Sequence, residues 1–323
     1  DMSLETIDNA WGAVPLFWYS ELDGRSDRPL KQAIVENQQV IRWYAERGRP
    51  VEVLEAHQWS LREAPDSIAV AMAYIAAYNA RYFGVKDYYA QYMFNTPAYT
   101  SAIHDIAKMA AKLALVESLR TKDFTPFRQV RSGLSHFSAN MNVAKGQLGM
   151  SLTSMLALRP HIVHVVSYSE GSHAATVDDV IESCQIVSGV LRNSVGGLPD
   201  PLRDNRVIER CKEIIDDALW VLGTIEGLGC EMGSSEPFVD PDVLTAAVKL
   251  GILDAPHFKG HPVALGAIDT VPNNGGCSIM SDNRIDVINE RTRLSNIMNS
   301  KLVRPLIMKD EVVKFVERID DAS

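Results

Sequence analysis

The chain is 323 residues long, 46% hydrophobic and 23% charged, which suits one α/β barrel or two smaller domains. A formal net charge of −9 without a basic cluster argues against nucleic acid as a partner. Four scattered cysteines without a CxxC pair exclude a disulfide scaffold, and no apolar run is long enough for a membrane span. Reduced thiols and the lack of a visible signal peptide point to a cytoplasmic protein. Because the chain opens on Asp1 rather than Met, residues upstream are to be expected.

A strand-like run, a polar tip and a helix recur about every 35 to 40 residues through the first half. The first strand is expected over Ala13 to Tyr19, followed by Glu21, Asp23 and Arg25, then a helix from Lys31 to Arg47 closed by Gly48. The second runs from Val51 to His57, with a helix from Asp66-Ser67 through Ala80. Val85 to Phe94 forms the third, broken by Asn95-Thr96-Pro97, and Ser101 to Leu119 its helix. Phe127 to Phe137 reads as the fourth strand, followed by a helix ending near Arg159-Pro160. The fifth unit starts at His161-Ile162 and carries an apolar run to Tyr168-Ser169-Glu170.

Its helix has the clearest local signals. Thr176 caps it with Asp179 three residues on, and Val177, Val180, Ile181, Cys184, Val187 and Leu191 make an apolar stripe expected to pack on the sheet, with Cys184 buried. After Asn193 the period changes. A glycine- and proline-rich loop leads to a long amphipathic helix over Val207 to Ile225, a short strand over Leu228 to Met232 and a helix over Pro241 to Leu250. Pro256 to Cys277 reads as irregular, and Arg291 to Val303 and Asp310 to Ile319 as terminal helices. The sum is a TIM-like (β/α) barrel, short of eight strands, with extra C-terminal helices: residues 1–235 form the barrel region and residues 236–323 a loop and helical extension packed on it.

Repeated βα units gather the loops after the strands at one sheet edge, so the candidates are sought there. Glu55 and His57 alternate on the expected second strand and share a face, where they suit binding an amine or moving a proton; a buried structural pair is the bland alternative. Tyr168, Glu170 and His173 cluster after the fifth strand, against which stands simple helix-entry work. Gln91 and Asn95 offer an amide wall beside Tyr88, Tyr89 and Tyr92. Arg128 and Arg131 lie three residues apart and need not point the same way; Arg131 at a strand top would clamp a carboxylate. Arg131 to His136 has the small and polar residues of a pocket rim or an ordinary turn. Gly266 to Cys277 lacks any Walker or dinucleotide glycine pattern, and zinc on Glu170, Cys230 and Cys277 is the weaker metal alternative.

The succession of βα units from Val51 to Asn193, with Tyr92-Met93-Phe94-Asn95-Thr96-Pro97, Arg128-Gln129-Val130-Arg131 and Ser167-Tyr168-Ser169-Glu170, resembles the TIM-barrel catalytic subunits of cobalamin-dependent mutases and aminomutases. The resemblance covers less than half of the chain. It implies an isomerase working in a multisubunit assembly. Radicals from adenosylcobalamin would be confined in the barrel while a small amino or carboxylic acid rearranges. Arg131 would anchor its carboxylate, and Glu55, His57, Tyr168 and Glu170 would orient an amine or a migrating group. The Asp-x-His-x-x-Gly motif of the cobalamin module is missing, so a cobalamin-binding partner subunit or a further domain is implied. Two alternatives share this architecture: corrinoid-dependent methyl transfer, and a noncatalytic assembly subunit derived from a barrel.

Overall fold

Alternation of short β-branched and aromatic runs with long amphipathic ones produces the repeated unit. The computed structural model describes residues 5–281 and 283–308. β1 (Gly12–Val14), β2 (Val51–Val53), β3 (Asp87–Phe94), β4 (Thr125–Ser132) and β5 (Ile162–Val163) form one parallel sheet in sequence order. Parallel neighbours need a crossover, because the chain must return to the same end of the sheet. The crossovers here are helical: α1 (Leu30–Glu46), α2 (Ala56–Ser60) with α3 (Asp66–Tyr82), α4 (Ala102–Glu117) and α5 (Met141–Met155). α6 (Val177–Ser194) follows β5. The result is a TIM-barrel-like α/β fold with five parallel strands among the described residues, and C-terminal helices added to it.

Local chemistry sets the helix starts. The Ser101 hydroxyl accepts the His104 backbone N–H at α4, and Asn140 accepts from Asn142 and Val143 at α5. At α6 the Thr176–Asp179 capping box forms in both directions, as the sequence led one to expect.

Period-two alternation divides β3 between two environments. Tyr88, Ala90 and Tyr92 line a small cavity with Ala73 and Ala76 of α3 and Val116 of α4, so this face is the covered one. Phe94 is fully buried on the same side. α7 (Asn205–Glu231) packs against α3 and α4 as a further layer, and α8 (Pro241–Lys249) packs against α1. An antiparallel sheet of β6 (Thr270–Asn273), β7 (Gly276–Met280) and β8 (Val287–Ile288) precedes α9 (Glu290–Ile297).

Several expectations are corrected. Leu228 to Met232 is not a strand but the end of α7, whose apolar face continues to that point. Strand β2 stops at Val53 and Glu55 caps α2, so Glu55 and His57 do not alternate on one strand face. β1 ends at Val14 because Leu16 and Phe17 turn to donate to Glu55. β4 gives way to a turn of 3₁₀ helix at Leu134–His136, and β5 is only two residues long, followed by another at Tyr168–Gly171. The stretch taken as irregular contains β6 and leads into β7. The apolar stripe of α6 does not lie across the sheet: Val177, Val180 and Ile181 are exposed, Cys184 is exposed too, the helix packs on α5, and Val187 is buried. β5 is the last strand in the order, so α6 has no next strand to cover. The terminal helix ends at Ile297 rather than Val303, and the expected helix over Asp310 to Ile319 lies outside the described residues.

Candidate functional site

The inner face of the sheet carries three rows of side chains. Strand register places Tyr89 beside Phe127, Gln91 beside Gln129 and Ile162, and Met93 beside Arg131. The first row is aromatic. Trp11 and Tyr89 have centroids 4.7 Å apart, Tyr89 and Phe127 5.5 Å, and Phe127 and His161 5.3 Å. The second row centres on Glu52. Its carboxylate accepts Trp11 Nε1–H at 2.9 Å, a short bond from Gln91 Nε2, and Gln129 Nε2 at 3.4 Å from each oxygen. Burial pushes the Glu52 carboxyl above its ordinary pKa, against the lowering effect of those donors and of Arg131.

The third row holds Arg131, with His164 just beyond β5. Arg131 is half-buried, and among the described residues its one hydrogen bond is from Nε to the Ser132 carbonyl at 3.4 Å. Desolvation lowers its pKa, while Glu52 and Glu170 act to raise it, which places both carboxylates in its electrostatic surroundings. His164 is held below its usual value by desolvation and then by Arg131. It is exposed, at the C-terminal end of the sheet.

Of the residues singled out from sequence, Gln91 and Arg131 share this face, and Glu170 is exposed at its rim. Asn95 and His136 sit beyond the ends of β3 and β4. Asn95 takes a left-handed backbone (φ 57°), donates its N–H to Asp105, and accepts from Ser151, which in turn accepts from Ser132. His136 lies in the turn against Phe137, with its pKa lowered chiefly by desolvation. Gly133 in the same turn is required by space, since a Cβ there would lie 2.1 Å from Thr96 Oγ1.

The other candidates point elsewhere. Glu55 is fully buried and accepts the backbone N–H groups of Leu16 (2.9 Å) and Phe17 (2.7 Å) and Trp59 Nε1–H (3.0 Å), so it ties β1 to α2. Burial raises its pKa to about 7 despite those bonds. His57 lines the cavity behind the sheet, where burial and then Lys112 push its pKa down to about 3. Arg128 lies on the opposite strand face from Arg131 and donates to the Arg159 carbonyl at 3.1 and 3.0 Å. Tyr168 donates to Glu182 of α6, with Asp179 3.2 Å away and Lys145 over its ring. His173 pairs with Asp179 at 3.1 Å in the capping network of α6. Sequence reasoning missed Glu52, Gln129, His164 and Trp11. The available signal was an acidic residue between two valines in Val51-Glu52-Val53, since a strand that turns its valines to the helices turns that carboxylate to the inner face.

The zinc alternative finds no support. Cys277 is buried with its Sγ–H 3.5 Å from the Glu63 carbonyl, Cys230 is exposed beside Arg304, and among the described residues no group of three or more His, Cys, Asp or Glu is placed to hold a metal ion. No described helix is long and apolar enough to cross a membrane. A TIM-barrel-like α/β fold is generally associated with enzymatic activity, and its strand ends are where such chemistry is built. Comparison with known proteins finds no family model and no curated protein that matches this chain.

Proposed function

We propose that the inner face and its C-terminal rim bind a small carboxylic acid and that the protein is the barrel subunit of a cobalamin-dependent mutase, working with a cobalamin-binding partner. The observation that carries the reading is Arg131. Its half-buried guanidinium makes no ion pair among the described residues, on a face that otherwise bonds to itself. A planar guanidinium offers paired donors to a carboxylate, and partial desolvation strengthens the pair. The rim also suits a corrin in kind: corrin edges carry primary amides, and His164, Glu170 and Ser135 are exposed polar groups near the strand ends.

Adenosylcobalamin, when bound, supplies homolytic radical chemistry that no side chain can provide. This chain's residues bind and orient. Arg131 fixes the carboxylate, Gln91 holds its place beside Glu52, and the aromatic row Trp11, Tyr89 and Phe127 keeps one side of the face dry. His164 lies close enough to Arg131 to feel its charge and stays neutral near pH 7, able to accept or donate one hydrogen bond.

The test is a titration of the protein, with its copurifying partners, against adenosylcobalamin and methylcobalamin, followed by absorbance and bound mass. Saturable adenosylcobalamin association is expected, together with a carboxylate affinity that Arg131→Met lowers about 10- to 100-fold. A methylcobalamin preference redirects the reading to methyl transfer. Absence of binding by either, with partners present, ends it.

A further inference from the structure

We infer that Glu52, Gln91 and Gln129 form an ammonium subsite, so that the inner face selects an amino acid over the corresponding simple acid. This rests on the reading that Arg131 takes a carboxylate on the same face. Glu52 is 3% exposed, and the three groups that donate to it are all neutral: the Trp11 indole and the Gln91 and Gln129 amides. No cation pairs with it among the described residues. A buried carboxylate without counter-charge is costly, and neutral donors offset only part of that cost.

The amides supply a second, independent observation. Because both Nε2 groups turn to Glu52, both Oε1 atoms are left over. Among the described residues, Gln91 Oε1 and Gln129 Oε1 are buried and accept no hydrogen bond, and Gln129 as a whole is 1% exposed. An unmet acceptor in such a place is destabilising until a donor reaches it. One carboxylate and two amide oxygens ask for a group with several N–H donors, no acceptor and a positive charge. An ammonium has these properties; a hydroxyl brings one donor, and a neutral amide no charge.

Position completes the argument. Gln129 and Arg131 are two residues apart on β4 and point to the same face, about 6.6 Å apart along the strand. The two poles of a zwitterion therefore meet opposite charges in adjacent rows. The aromatic row borders the acidic one on its other side, where ring faces favour a nearby cation.

Calorimetry on the full chain tests this with the proteinogenic L-amino acids, and with the deamino acid of each one that binds. The expected result is a deamino acid about 10- to 100-fold weaker than its amino acid. Glu52→Gln should erase most of that gap while leaving the deamino acid within about threefold, and Arg131→Met should weaken both. If Glu52→Gln does not fold, Gln91→Met at the half-buried position is expected to narrow the gap about three- to tenfold. Equal affinity of amino and deamino acids, with Arg131→Met still weakening both, overturns the ammonium subsite and leaves the carboxylate reading standing. Absence of binding by any of the acids overturns both.

Discussion

The two faces of the parallel sheet are built from alternate residues of the same strands, yet they handle charge in opposite ways. On the helix-covered side, Lys108 is fully buried and satisfied: its Nζ donates to the Thr96 carbonyl at 2.5 Å and lies 3.3 Å from Asp66 and 3.7 Å from Asp105. On the inner side, among the described residues, Arg131 makes no ion pair and Glu52 is bonded only by neutral groups. Pairing of buried charges on the covered side is what a stable interior requires. The inner side leaves opposite charges in adjacent rows without joining them, which is the pattern of a surface awaiting a ligand. The proposed function uses the inner face, and the covered face serves stability.

That division is broken most directly by large-to-small changes. Phe94→Ala on the covered face should cost about 3–5 kcal/mol in urea unfolding, because the ring is fully buried between sheet and helices. Gln91→Ala, three residues earlier on β3 and half-buried on the inner face, should cost less, about 1–2 kcal/mol for the donor withdrawn from Glu52. Comparable costs would mean that the inner face is packed as a core and does not serve as a site.

Lys112 sharpens the comparison from the covered side. It is fully buried one helical turn after Lys108, its Nζ has no hydrogen-bond partner among the described residues, and burial, with Lys108 adding, lowers its pKa to about 7. Between that value and the unfolded value of 10.5 the folded state binds fewer protons than the unfolded chain. Stability contributed at this position therefore rises with pH across that window and is lowest below about 7. Lys112→Met should remove a slope of up to about 1.4 kcal/mol per pH unit, read as the difference between variant and parent stability from pH 6 to 10. Parallel pH profiles would show that Lys112 is not held neutral.

Glu55→Gln probes the seam between the faces at the β1 and β2 exits. A single amide oxygen cannot replace two carboxylate oxygens that accept three N–H groups, so a loss of about 1–3 kcal/mol is expected. The loss should be larger toward acid pH. The folded pKa of about 7 lies above the ordinary 4.5, so the folded state binds the extra proton, and stability from this group falls as pH rises through that interval. Equal losses at pH 5 and pH 8 would break the assignment.

Much of the architecture was legible because helix caps and apolar periods are local. Thr176 with Asp179, the break at Asn95-Thr96-Pro97, and the alternation in β3 all reported their structures directly. The site was less legible because its members meet only through strand register. Glu52, Gln91 and Gln129 stand up to 77 positions apart in sequence, and a three-residue β2 gives almost no period to read. Glu55 and His57 misled for a related reason. Polar residues alternating after a strand look like one more strand, whereas Glu55 is drawn back by the Leu16 and Phe17 amides and starts a helix. Arg131 was singled out because a guanidinium near a strand end is informative wherever its neighbours fall.

α6 extends the contrast beyond the sheet and carries the smallest expected effect. Its sequence period is that of a buried helix, but Val180 is 47% exposed whereas Val187, two turns on, is 6% exposed. Hydrophobic stabilisation scales with area removed from water, so Val187→Ala should cost about 2 kcal/mol. Val180→Ser should change stability by no more than about 0.5 kcal/mol, since little area is removed from water at that position. Urea midpoints with an unchanged slope measure both. If Val180→Ser cost as much as Val187→Ala, the outer stripe of α6 would be buried in solution, and the side of the fold beyond β5 would be covered like the helix-packed face of the sheet.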